Sequence, residues 1–120
     1  MKICVTSKDV GLDAPVDPHF GRCGYFVMVD PETMDQLSLK NEQVSASGGA
    51  GVQAAQQVIS EGIDVLITGS LGPNAFSLLS AENIEVRVCS TGSVKEAVDA
   101  YGSNSLETIK EANSPGKPGM

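Results

Sequence analysis

One histidine marks where metal chemistry could begin in this 120-residue chain. It lies in Asp17-Pro18-His19-Phe20-Gly21-Arg22-Cys23, which brings imidazole, carboxylate, guanidinium and thiol close together. Imidazole is a common ligand for transition metals, and thiolate suits iron and other soft or borderline metals. On that reading His19 and Cys23 are candidate metal ligands. Asp17 could fix the histidine tautomer from behind, and Arg22 could pair with an anionic ligand. Plainer roles stand beside these. A lone surface histidine is often only solvated, and Cys23 could be a small buried apolar residue leading into a strand. Cys4 alternates within an apolar run and belongs to a core, while Cys89 closes a late strand. Three cysteines without a CxxC spacing read as free thiols in a reducing compartment, not as a disulfide framework.

Glycine supplies a second kind of chemistry. Gly48, Gly49 and Gly51 precede or open one helical pattern, and Gly69 and Gly72 precede another. Helix N-termini present free N–H donors and partial positive charge, and glycine leaves that backbone unobstructed. An anionic ligand follows, with Asn74 as a further contact at a helix start.

Several function classes drop out. Gly49-Ala50-Gly51-Val52-Gln53-Ala54 fits the loose G-x-G-x-x-A pattern, but it follows a hairpin strand, and Thr68-Gly69-Ser70 stands where an acidic residue would be needed. A phosphate loop and a G-x-S-x-G elbow are both absent. The net charge of −7, with eight basic residues spread along the chain, argues against nucleic acid. No apolar run approaches the roughly 18–20 residues of a membrane span, and the N-terminus turns polar too early for a signal-peptide core. The chain is read as a cytoplasmic, non-catalytic binding protein.

The elements that must position these residues are legible from periodicity. Ile3 to Thr6 reads as a buried strand, and residues 7–22 as a long loop of the kind that is commonly functional. Tyr25–Asp30 and alternating Gln36–Asn41 form a hairpin around Pro31-Glu32-Thr33. Val52, Ala55, Val58 and Ile59 recur at helical spacing until Gly62. Asp64–Thr68 is a strand buried on both faces, Pro73 opens a helix, Glu85–Cys89 is a fifth strand, and Val94, Ala97, Val98 and Tyr101 line a third helix. Leu106–Ala112 could add two helical turns, and residues 103–120 read as a polar, flexible tail after a single domain spanning 1–102.

This order, βββ-αβαβα, predicts a five-stranded mixed sheet in the order 3-2-1-4-5, with strand 2 antiparallel and helices on both faces. The loops after strands 1, 3, 4 and 5 then gather at one end, with all three helix N-termini. Open α/β sheets bind ligands there, at the point where strand order reverses. That crevice falls between strands 1 and 4.

Three segments, His19-Phe20-Gly21-Arg22-Cys23, the glycine-rich run 48–55 and Thr68-Gly69-Ser70-Leu71-Gly72-Pro73-Asn74-Ala75-Phe76, together resemble the dinitrogenase iron–molybdenum cofactor biosynthesis family, of NifX and NifB C-terminal-domain type. The resemblance spans about residues 1–102. It implies a ribonuclease H-like, three-layer α/β/α fold. The first strand offers Ile3, Cys4, Val5 and Thr6 where nucleases of that fold carry a metal-binding carboxylate, so nuclease chemistry is not expected. The resemblance also implies transient binding of an iron–sulfur or molybdenum-containing cluster, exchanged with a donor or acceptor protein. It carries the cluster contact onto His19, more weakly onto Cys23, and treats Phe20, Gly21 and the glycine segments as surrounding backbone. The rival reading is a regulatory module for a small anionic metabolite or protein partner, without metal.

Overall fold

Ile3-Cys4-Val5-Thr6-Ser7 is buried at every position, which is possible only for a strand covered on both faces. It is the middle strand of a sheet. A computed structural model describes residues 1–42 and 50–112. Its elements are β1 (Ile3–Ser7), β2 (Tyr25–Val29), β3 (Gln36–Lys40), α1 (Ala50–Ser60), β4 (Val65–Thr68), α2 (Pro73–Ala81), β5 (Glu85–Val88) and α3 (Val94–Gly102). The sheet order is β3-β2-β1-β4-β5. β2 runs antiparallel to both neighbours, whereas β1, β4 and β5 are parallel. This is the expected topology.

Register then sorts the side chains. Cys4 lies opposite Met28 and Leu66, and Val5 opposite Val27 and Ile67. Because successive strand residues face opposite ways, Cys4, Phe26, Met28, Leu66 and Val86 pack with Ala54, Ala55 and Val58 of α1 and Ala75 and Leu79 of α2. Ile3, Val5, Val27, Val29, Val65 and Ile67 pack instead with Val94, Ala97 and Val98 of α3. The result is three layers, with a core on each side of the sheet. Each fully buried Leu or Ile contributes about 1.5–3 kcal/mol.

Leu106–Ala112, expected as two helical turns, forms none. The Val88 N–H donates to Glu107 O at 2.9 Å and the Ile109 N–H to Val86 O at 2.8 Å, so the segment is extended along β5. Thr108 bridges Arg87, and Ile109 is buried. The physical reason is the open edge of β5, whose unpaired backbone groups outcompete a short isolated helix. Arg87 holds this chain from the side: it donates to Asn104 Oδ1 and Leu106 O, pairs with Glu85 and lies over the Tyr101 ring. Residues 103–112 are therefore a fastened cover on β5, not a loose tail; residues 113–120 lie outside the described residues. Truncation after Gly102 should uncover that edge and the apolar surface under Ile109. The expected result is a lower denaturation midpoint and concentration-dependent association by size-exclusion chromatography. An unchanged midpoint and a monomeric elution profile would show the cover to be dispensable.

Candidate functional site

The strand directions bring loops 8–24, 69–72 and 89–93 to one end of the sheet. Loop 8–24 crosses that end as a strap held by main-chain bonds. Lys8 N–H donates to Pro15 O, and Val16 N–H to Gly92 O at 2.9 Å. Val94 and Lys95 N–H donate to Ala14 O and Leu12 O, both at 2.9 Å. Ala14 and Val16 are buried against the α3 side of the sheet.

The histidine segment is pinned from two strands. Thr6, at the end of β1, accepts the Asp17 N–H at its carbonyl (2.9 Å) and donates its hydroxyl to Asp17 O (2.6 Å). From beyond β4, Ser70 N–H donates to Pro18 O at 2.7 Å and Ser70 O accepts the Phe20 N–H at 3.3 Å. Gly69 permits this approach: a Cβ there would lie 2.6 Å from Pro18 Cβ and 2.8 Å from Pro18 Cα and O. Gly21, at φ +93°, completes the reversal in a conformation that L side chains rarely adopt, and the Arg22 N–H donates back to His19 O.

Asp17 then orients the imidazole. Its Oδ1 accepts the His19 backbone N–H at 3.0 Å and faces Nδ1 at 3.3 Å. The His19 side chain is 69% exposed, that of Asp17 only 14%. A proton on Nδ1 donates to the carboxylate and leaves the Nε2 lone pair for a ligand. Phe20 is half-buried beside it, its ring 6.1 Å from that of Phe26. Arg22 is exposed on the same turn.

Cys23 is not brought together with His19 at the surface. It is fully buried in the core shared with Cys4 and Phe26. Burial, and then the Asp17 carboxylate, push its thiol up to about 12, so it stays protonated at neutral pH. In this buried, protonated state the thiol presents no thiolate beside the exposed imidazole. Asn41, itself buried, holds the backbone here by donating from Nδ2 to Gly21 O and Cys23 O at 3.1 and 2.9 Å.

The helix N-termini also differ from expectation. That of α3 is closed: Ser93 and Glu96 form a reciprocal capping box, and the strap takes the Val94 and Lys95 N–H groups. These donors are satisfied within the chain and offer nothing to an anion. α2 begins at Gly72 with no side-chain cap, followed by Pro73 and exposed Asn74. Gly51 sits in the first turn of α1, where a Cβ would meet Ala75 at 3.8 Å, so it serves helix packing. Gly48 and Gly49 lie outside the described residues.

Among the described residues no group of three or more His, Cys, Asp and Glu side chains is placed to hold a metal ion. Among the described residues the site combines an exposed imidazole, His19, backed by Asp17, an adjacent cation, Arg22, and the start of α2, which has no side-chain cap. Sequence reasoning passed over the residues that fix it: Thr6, Thr68, Ser70 and Asn41. Their signal was modest but present, since Thr6 and Thr68 are polar residues ending otherwise apolar central strands.

Comparison with known proteins agrees with this architecture. The family model described as dinitrogenase iron–molybdenum cofactor matches residues 1–104. The apo form of the orange protein from Desulfovibrio gigas superposes with a TM-score of 0.90 at 37% identity, covering 94% of this chain and 96% of that one. A Thermotoga protein provisionally assigned as NifB gives 0.82 at 30% identity, covering 96% and 98%. An uncharacterized Methanocaldococcus jannaschii protein, MJ0580, is 28% identical over 101 residues, 79% of this chain and 83% of that one.

Proposed function

The chain belongs to the dinitrogenase iron–molybdenum cofactor family, and from that membership we propose that it binds and carries an anionic iron–sulfur or molybdenum-containing cluster without catalysing a reaction. The cluster is cargo, received from a donor protein and passed to an acceptor in the cytoplasm. One observation carries the reading: an exposed imidazole at the strand-end switch point, backed at Nδ1 by Asp17. Arg22 and the start of α2 at Gly72 and Asn74 supply positive potential for an anionic cargo. Cys23, buried under the turn, is not exposed beside His19. A single side-chain ligand gives a hold that can be released, as transfer requires, whereas resident clusters are held by several thiolates. The relative solved in its apo form is consistent with a group that comes and goes. Among the described residues no helix is long and apolar enough to cross a membrane.

The test is iron and molybdenum content after anaerobic incubation with a soluble iron–sulfur–molybdenum cluster source and desalting. Near-stoichiometric metal in the natural chain should fall about 10-fold or more in His19→Ala. Equal retention in both chains would move the site away from His19. No uptake by either would favour a module for a small anionic metabolite, tested by phosphate or carboxylate stabilisation.

A further inference from the structure

Two threonine hydroxyls meet in the interior directly beneath the histidine turn. Thr6 on β1 and Thr68 on β4 are both fully buried, and their Oγ1 atoms are 2.9 Å apart. Each hydroxyl has one proton to give. The Thr6 hydroxyl donates towards Asp17 O, the shorter contact at 2.6 Å, and towards Thr68 Oγ1. It links Thr68 on β4 to the Asp17 carbonyl. Thr6 also takes the Asp17 N–H on its own carbonyl. Both main-chain polar groups of Asp17 thus end on one residue, and the Asp17 carboxylate ends on His19.

We propose that Thr6 is a positioning residue for His19, fixing the main chain of Asp17 so that its carboxylate selects the Nδ1-protonated tautomer and keeps Nε2 outward. The role of that tautomer in holding cargo rests on the reading above; the positioning itself does not. Ser70 holds Pro18 and Phe20 from the other side, so the turn keeps its place when the Thr6 hydroxyl is removed. What is lost is the aim of the carboxylate. Removing groups that orient a metal-binding histidine commonly costs 10–100-fold in metal affinity.

The experiment is long-range proton–nitrogen correlation NMR of the His19 ring in the cargo-free chain at about pH 8, alongside metal retention. The natural chain should show the proton on Nδ1. Thr6→Val, of nearly the same shape, should lose that single-tautomer signature and retain about 10-fold less cargo. Thr6→Ser should restore both, whereas Thr6→Ala should not. The serine and alanine variants share the same missing methyl, so this pair carries the test even if the valine variant does not fold. A natural chain protonated at Nε2 overturns the proposal, as does a Thr6→Ala ring indistinguishable from that of Thr6→Ser. A tautomer that responds as expected while the natural chain takes up no cargo supports the positioning and overturns only the cargo reading.

Discussion

Gly69→Ala should displace the His19 turn, lower the unfolding free energy by about 1–3 kcal/mol and abolish cargo retention. The new methyl would fall within 2.8 Å of the Pro18 main chain, and backbone cannot rotate away as a side chain can. Forced overpacking of this kind typically costs that much. Relief requires Pro18 to retreat, which breaks the Ser70–Pro18 and Phe20–Ser70 bonds and carries His19 with it. Gly102→Ala is the matched control. A Cβ there meets nothing within 4 Å, and alanine suits the last position of α3. Urea denaturation and metal retention of the two variants, side by side, check the claim. Retention in Gly69→Ala equal to that in Gly102→Ala would show that the strap can shift without cost to the site.

Phe26→Ala should be the most destabilising single change, at about 3–5 kcal/mol. Phe26 heads the fully buried side chains by volume. It sits on β2 opposite Thr6 and Leu39, in the core under α1 and α2. Domains of this kind have about 5–15 kcal/mol in total, so the variant should be partly unfolded at modest denaturant. Phe20 also loses the ring it leans on, which couples this core position to the site. Chemical denaturation monitored by circular dichroism reads the effect directly. A loss below about 1 kcal/mol would mean that neighbouring Leu39 and Phe20 collapse into the space.

The fold was legible because its strands and helices announce themselves locally. Ile3 to Thr6 and Asp64 to Thr68 carry unbroken apolar runs, the spacing of Val52, Ala55 and Val58 is helical, and Pro73 and Gly62 punctuate the ends. Short connections then left few topologies to choose between. The errors arose where a distant partner decides. Leu106–Ala112 has helical composition, but the bare edge of β5, about twenty residues earlier in the chain, claims its backbone. For Cys23 the sequence left a ligand and a small buried apolar residue side by side, and it is Asn41 and the core that enclose it. Ser93 and Glu96 do spell a capping box, so closure of the α3 N-terminus could have been read from sequence. The strap bonds to Val94 and Lys95 could not. His19 was found by residue type and by the family resemblance of its segment, while its geometry depends on Thr6 and Ser70, which reach it from other elements.

The strap has a consequence for how such a protein can change over generations. Lys8, Val16 and Asp17 are fastened through amide nitrogens, and Leu12, Ala14 and Pro15 through carbonyls, groups that nearly any residue provides. Outward side chains such as Val10 and Asp13 take no part in that fastening. They can be rewritten one codon at a time while the histidine stays where it is. The anchoring of the strap and the chemistry of its outer face are inherited separately: one fixed imidazole, on a strap whose outward positions are freely editable.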